Sequence, residues 1–206
     1  MTILQAMVMK SDFTFALLRH GATQWNVEGR IQGHRDIGLL DQSQMQLLGV
    51  RIPDDWARLP WYTSPLKRTQ QTAAALDIAP VGVLAPFTEM DWGDWEGQKL
   101  SSLRSRLGTE MTANEERGWD FRPDNGESPR DVLSRVRTFL AQWRDGNFGV
   151  VTHKGLIRAV YAGASGWDMT GKIPHKLRWD AVHVFRWSAK DGLSIVQLNI
   201  PFVPIR

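Results

Sequence analysis

Apolar and polar positions follow two rhythms along this chain. Short apolar runs, bounded by polar residues or glycine, read as buried strands at residues 14–18, 61–64, 81–84 and 149–152. Between them lie stretches with helical spacing at 66–76, 97–107 and 154–164. The most regular one opens at Ser128-Pro129. Serine suits the N-cap and proline the first turn, and Val132, Val136, Phe139, Leu140 and Trp143 then share one face. Asp41 is placed to cap a helix running through Gln44, Leu47, Leu48 and Val50. Residues 21–40 read as a polar loop. Residues 109–125, charged and weakly periodic, read as an excursion over the surface. Residues 182–187 and 194–198 alternate on either side of Lys190-Asp191-Gly192 and read as a closing hairpin. Strands interleaved with helices predict an α/β layer fold with a mostly parallel central sheet.

Composition narrows this picture. A chain of 206 residues fits one domain over 1–206, with residues 1–12 as an N-terminal extension, and buries roughly 70% of its unfolded surface. There is no internal repeat and no linker-like tract. The absence of cysteine excludes disulfides, thiolate catalysis and cysteine-based zinc sites. A net charge of +3, from 25 basic and 22 acidic residues, suits an anionic small molecule better than nucleic acid, since the bases form no runs and no recognition motif occurs. No apolar run reaches the roughly 18 residues of a membrane span. Residues 1–12 lack the basic and apolar regions of a signal peptide, so a cytoplasmic protein is expected, with its oligomeric state open and a homodimer among the options. The ten tryptophans are assigned mostly to core packing.

Candidate chemistry sits at the strand ends. Arg19-His20 closes the first apolar run, and His153 follows the run 149–152. Arg68 opens a helix after the second strand, where free N–H groups and the helix dipole attract anions. Glu89 follows the third strand. Ligands of open α/β sheets bind outside the carboxyl ends of the strands, so neighbouring strands would bring these side chains together. Asp91, Asp94 and Glu96 lie close in sequence, but the spacing is not that of an EF-hand and no metal site is expected.

Five segments, in this order, carry a resemblance: Leu18-Arg19-His20-Gly21-Ala22-Thr23-Gln24-Trp25-Asn26, Thr63-Ser64-Pro65-Leu66-Lys67-Arg68-Thr69-Gln70-Gln71-Thr72-Ala73, Glu89-Met90-Asp91-Trp92-Gly93-Asp94-Trp95-Glu96-Gly97, Gly126-Glu127-Ser128, and Val151-Thr152-His153-Lys154-Gly155-Leu156-Ile157-Arg158. Together they resemble the histidine phosphatase superfamily, the phosphoglycerate-mutase-like group. The resemblance implies a three-layer sandwich with helices on both faces of the sheet. It implies that His20 is a nucleophile that becomes phosphohistidine, and that Arg19 and Arg68 hold the phosphate of a small-molecule ester. His153 would bond the phosphoryl oxygens, and Glu89 would protonate the leaving alcohol, for which it must hold a proton near neutral pH. Gly21, Thr23 and Asn26 match further phosphate contacts, and Gln32-Gly33 matches the loop beside the pocket. No metal and no cofactor are implied, because the cations neutralise the phosphoryl charge.

Two departures stand out. Lys154 occupies a position where the family often has glycine, and it either adds a cation at the pocket mouth or points to solvent. Trp25, Trp92 and Trp95 either line the mouth or pack the loops. Hydrolysis is the expected reaction, because mutases of this type carry a longer, basic excursion after the glutamate motif. Here residues 98–125 are compact, and Glu110, Glu115, Glu116, Asp120 and Asp124 balance the bases. The alternatives are a phosphoglycerate mutase and an inactive phospho-ligand-binding protein.

Overall fold

A computed structural model describes residues 12–205. The expected extension, 1–12, lies outside them except for Asp12, which ion-pairs with Arg186. The chain runs β1 (Phe13–Arg19), α1 (Gln24–Glu28), α2 (Asp41–Leu48), β2 (Val50–Arg51), α3 (Asp54–Ala57), β3 (Trp61–Thr63), α4 (Lys67–Ala75) and β4 (Gly82–Val83). It continues through α5 (Leu100–Leu107), α6 (Thr109–Glu115), α7 (Pro129–Gln142), β5 (Phe148–Thr152), α8 (Lys154–Ser165), β6 (Ala181–Ser188), β7 (Gly192–Pro201) and β8 (Val203–Pro204).

Six strands form the main sheet in the order β4-β3-β5-β1-β6-β7. β4, β3, β5 and β1 are parallel, and the β6–β7 hairpin adds two antiparallel strands at the β1 side. Alternate residues face opposite ways, as the pleat requires. Phe15, Leu17, Phe148, Val150 and Phe185 meet Val132, Val136 and Leu140 of α7 and Leu156, Ile157 and Val160 of α8. Ala16, Leu18, Val151, Val182 and Val184 face Ala73 of α4 and its flank at Leu76. Helices therefore cover both faces. A satellite cluster of Ile31, Trp95, Leu103 and Met111 lies under α5 and α6.

Several local expectations change. The loop 21–40 contains α1, a single turn too short to show a periodicity, held by a capping box between Thr23 and Asn26. Asp41 is not the cap of α2: Leu40 holds the N-cap position, and Asp41 is the first helical residue with no capping bond from its side chain. A bond from Leu40 N–H to the Ala22 carbonyl, 2.9 Å, fixes Leu40 in the extended geometry that a cap needs. The stretch 109–125 is not a bare excursion. It forms α6 and a short 3-10 turn, Gly118–Asp120, and buries Met111. One buried side chain in α6 is too few to produce an apolar stripe. The small β2–β8 pair joins segments with little strand patterning of their own.

Candidate active site

The register of β1 against β5 assembles the centre. Leu18 pairs with Val151 and Arg19 with Thr152, so His20 and His153 leave the sheet side by side. His20 N–H continues the ladder to the Thr152 carbonyl at 3.0 Å, and the ring centroids lie 5.2 Å apart. On the other flank of β5, Thr63 pairs with Val151, which brings Ser64 to the same edge. Ser64 Oγ lies 2.7 Å from His153 Nε2.

His20 is buried, and its Nδ1 lies 2.6 Å from the Gly21 carbonyl oxygen. A carbonyl only accepts, so Nδ1 carries the proton and Nε2 keeps its lone pair. Burial, then the charges of Arg19 and Arg68, hold His20 well below the ordinary imidazole pKa, against the Gly21 hydrogen bond. Burial also holds His153 well below its usual value, followed by Arg68, His20, Arg135 and Arg19. Its Nδ1 accepts a 3.3 Å bond from Arg68 Nε, which leaves Nε2–H to donate to Ser64. Both rings are neutral in the resting site.

Arg68 is fully buried at the start of α4. Its guanidinium also donates to the Arg35 carbonyl at 2.7 Å and the Gly33 carbonyl at 2.8 Å. Burial draws its pKa down, opposed by the carboxylates of Glu89, Asp36 and Glu96. Arg19 is likewise depressed by burial and opposed by Glu89. Its guanidinium lies 5.7 Å from the Trp179 ring centre.

Glu89 is buried at the N-terminus of α8. Its Oε1 accepts from Met90 N–H at 2.9 Å and Leu156 N–H at 3.1 Å, and Oε2 from Gly155 N–H at 3.1 Å. All three partners are backbone donors, so both carboxyl oxygens accept. The backbone around Glu89 is fastened from two sides. Arg135 of α7 donates to the Pro86, Thr88 and Glu89 carbonyls and pairs with Glu127 at 3.0 Å. His34 Nε2–H donates to the Glu89 carbonyl at 2.9 Å.

Arg19, His20, Arg68, Glu89 and His153 thus occupy one edge of the sheet. The other candidates divide. Gly21 donates its N–H to Thr72 Oγ1 at 2.9 Å, and its carbonyl sets the His20 proton. Thr23 and Asn26 are committed to the α1 cap, and Thr23 Oγ1 donates to Gln32 Oε1 at 2.9 Å. Gly33 acts through its carbonyl on Arg68, with φ +52 and Glu96 where a side chain would go. Lys154 is exposed with its Nζ 5.5 Å from the Trp179 ring centre. Trp92 and Trp95 pack against Phe121, with centroids 5.7 and 5.8 Å away, and Trp25 lies against Gly97. These three indoles serve the loops. Asp91, Asp94 and Glu96 hold separate contacts, to Gly93 N–H, Asn125 and His34 N–H.

Ser64, His34, Glu127, Arg135 and Gly155 were not singled out from sequence. Ser64 had a usable signal: it ends β3 as His153 follows β5. His34, Glu127 and Arg135 act on backbone groups and Gly155 through its own N–H, which residue type does not reveal. A cleft of about 500 Å³ also opens between α7 and α8, lined by Trp119, Arg130, Arg137 and Trp167, away from the two histidines.

Comparison with known proteins shows the family of the chain. The family model described as histidine phosphatase superfamily (branch 1) matches residues 15–201, and the chain belongs to that superfamily. It is 33% identical over 193 residues to phosphoglycerate mutase-like protein 4 of Arabidopsis thaliana, covering 87% of this chain and 81% of that one. It is 30% identical over 203 residues to the 2,3-bisphosphoglycerate-dependent phosphoglycerate mutase of Bartonella quintana (strain Toulouse), covering 91% and 98%. A mycobacterial glucosyl-3-phosphoglycerate phosphatase shares the fold, with a TM-score of 0.70 at 24% identity over 91% of this chain and 99% of that one. Proteins named as mutases and as phosphatases thus share this architecture.

Proposed function

We propose that the chain is a phosphatase that hydrolyses phosphate monoesters of small molecules through phosphohistidine at His20, with no metal. The observation that carries this reading is the His20 tautomer: with Nδ1–H bound to the Gly21 carbonyl, Nε2 offers its lone pair beside two arginines and a second histidine. Nε2 attacks phosphorus as the ester P–O bond breaks. Arg19 and Arg68 hold the equatorial oxygens, each charge-assisted bond contributing about 1.5–3 kcal/mol. Arg68 has five N–H donors and uses three, on His153 and on the Arg35 and Gly33 carbonyls, which leaves two for the ester oxygens. His153 bonds a further oxygen when its Nε2–H turns from Ser64 to the ester. Glu89 supplies the proton that turns the leaving alkoxide into an alcohol. The resulting carboxylate takes a proton from water as the water oxygen attacks phosphohistidine, the N–P bond breaks, and phosphate leaves.

Hydrolysis is favoured over mutase turnover by the segment after the glutamate motif. Residues 98–125 fold back as α5 and α6 onto a small core shared with Ile31 and Trp95 and are tied by Arg104–Glu115. The mutase reading has its own support in the relatives named as phosphoglycerate mutases. Phosphate release from p-nitrophenyl phosphate in the presence of a chelator, beside a coupled phosphoglycerate mutase assay, separates the two. Chelator-resistant release that is lost in His20→Ala is expected. Mutase turnover faster than hydrolysis reverses the assignment, and activity surviving in His20→Ala removes the phosphohistidine step.

A further inference from the structure

The positive charge at this edge exceeds what one phosphoryl group uses. Lys154 and Arg158 stand four residues apart on α8, hence on one helix face, immediately after His153. Lys154 shares the Trp179 indole with Arg19: its Nζ is 5.5 Å from the ring centre and the Arg19 guanidinium 5.7 Å. Arg158 lies over Trp167 at 5.3 Å. Elsewhere arginines are matched with acids, as in Arg30–Glu28, Arg122–Asp131, Arg130–Asp120 and Arg178–Asp180. Among the described residues no carboxylate ion-pairs with Arg19, Lys154 or Arg158. The two buried side-chain nitrogens there with no hydrogen-bond partner are Arg19 Nε and Arg158 Nε. The acid that neighbours Lys154, Glu89, already serves three backbone N–H groups. Lys154 reaches solvent but is partly desolvated; that loss of hydration, then the charges of Arg19 and Arg158, draw its pKa down, opposed by Glu89. Like charges gathered without a counter-charge cost free energy that an arriving anion relieves.

We propose that Lys154, against Trp179, and Arg158, against Trp167, receive a second anionic group of the substrate, so that the preferred esters carry a carboxylate or a further phosphate beside the phosphoryl group that is transferred. This rests on the phosphatase reading and narrows it. Matched substrates test it: 3-phosphoglycerate against glycerol 3-phosphate, which differ by a carboxylate, and fructose 1,6-bisphosphate against fructose 6-phosphate, which differ by a phosphate. The wild type is expected to favour the more anionic member of at least one pair by about tenfold or more in kcat/KM, the factor that one charge-assisted hydrogen bond carries. The pair that shows the preference identifies the group. Lys154→Met and Arg158→Met should each reduce that preference by about tenfold. Raising ionic strength should shrink it in the wild type, since an exposed lysine is screened. If Arg158→Met unfolds through loss of its Trp167 contact, Lys154→Met carries the test, because Lys154 is exposed. Turnover of p-nitrophenyl phosphate with no preference in either pair, or a preference that survives both substitutions, overturns the second-anion site and leaves the phosphatase standing. No turnover of p-nitrophenyl phosphate removes both.

Discussion

Gly155 has its place because of Glu89: a β-carbon there would fall 2.4 Å from Oε1. Helix propensity alone predicts that alanine in α8 stabilises by about 0.8–1 kcal/mol. The clash predicts instead that Gly155→Ala displaces the carboxylate from the 155 and 156 N–H groups. Each lost N–H bond costs about 0.5–3 kcal/mol, so kcat should fall at least about tenfold and the melting temperature should drop by several degrees. Steady-state kinetics beside calorimetry check both halves, and a purely structural role for Gly155 would move only the second. The buried histidines make a second residue-level prediction. His20 and His153 are depressed in the folded protein and ordinary in the unfolded chain, which therefore binds more protons below about pH 6.5. Stability should be unaffected by them above that pH and fall as pH drops below it, by up to about 1.4 kcal/mol per unit for each ring. Urea titrations from pH 7 to 5 should show this slope, and His20→Gln should flatten it. The residues that meet at the sheet edge were legible because a strand end fixes where its next side chain goes. Thr23 and Asn26 read as phosphate contacts and Gly33 as part of the loop beside the pocket, since nothing in their type shows that their bonds go to a helix cap and to the Arg68 guanidinium.

α7 shows when an element can be read directly. Ser128 caps it and Pro129 opens it, as the pattern implies, and Asp131 completes a capping box. Ser128→Ala should cost about 1 kcal/mol, within the usual range of roughly 0.5–2 for caps, measured as a lower denaturation midpoint at unchanged slope. The same helix carries Arg135, whose donors fasten the Glu89 loop. Arg135→Lys keeps a charge but loses the fork, so it should lower kcat with little effect on KM for p-nitrophenyl phosphate. Equal losses in both would instead mark a site that no longer binds. α1, α6 and the β2–β8 pair escaped the sequence because none is long enough to carry an apolar period of its own. A capping box, a single buried methionine and a partner strand far along the chain leave no periodic trace.

At the scale of the molecule, Phe148 joins the two ends of the sheet's core. It stacks on Phe15 at 5.7 Å and meets Trp143 at 4.7 Å, Phe13 at 5.9 Å and Phe87 at 6.1 Å. Phe148→Ala should cost about 3–5 kcal/mol, read by denaturant unfolding. Its neighbour Gly149 admits no β-carbon, which would lie 2.5 Å from the Trp61 ring. The α/β class and the parallel core followed from alternation of strands and helices. The strand order did not, because no local pattern states that β5 inserts between β1 and β3.

That insertion has a consequence for synthesis. The chain emerges N-terminus first, so His20 and Arg19 are in place long before the strand that must lie beside them exists. Until residues 148–153 have left the ribosome, no partial product can set His153 beside His20. A premature stop anywhere before that point is expected to abolish the proposed phosphatase activity outright rather than slow it.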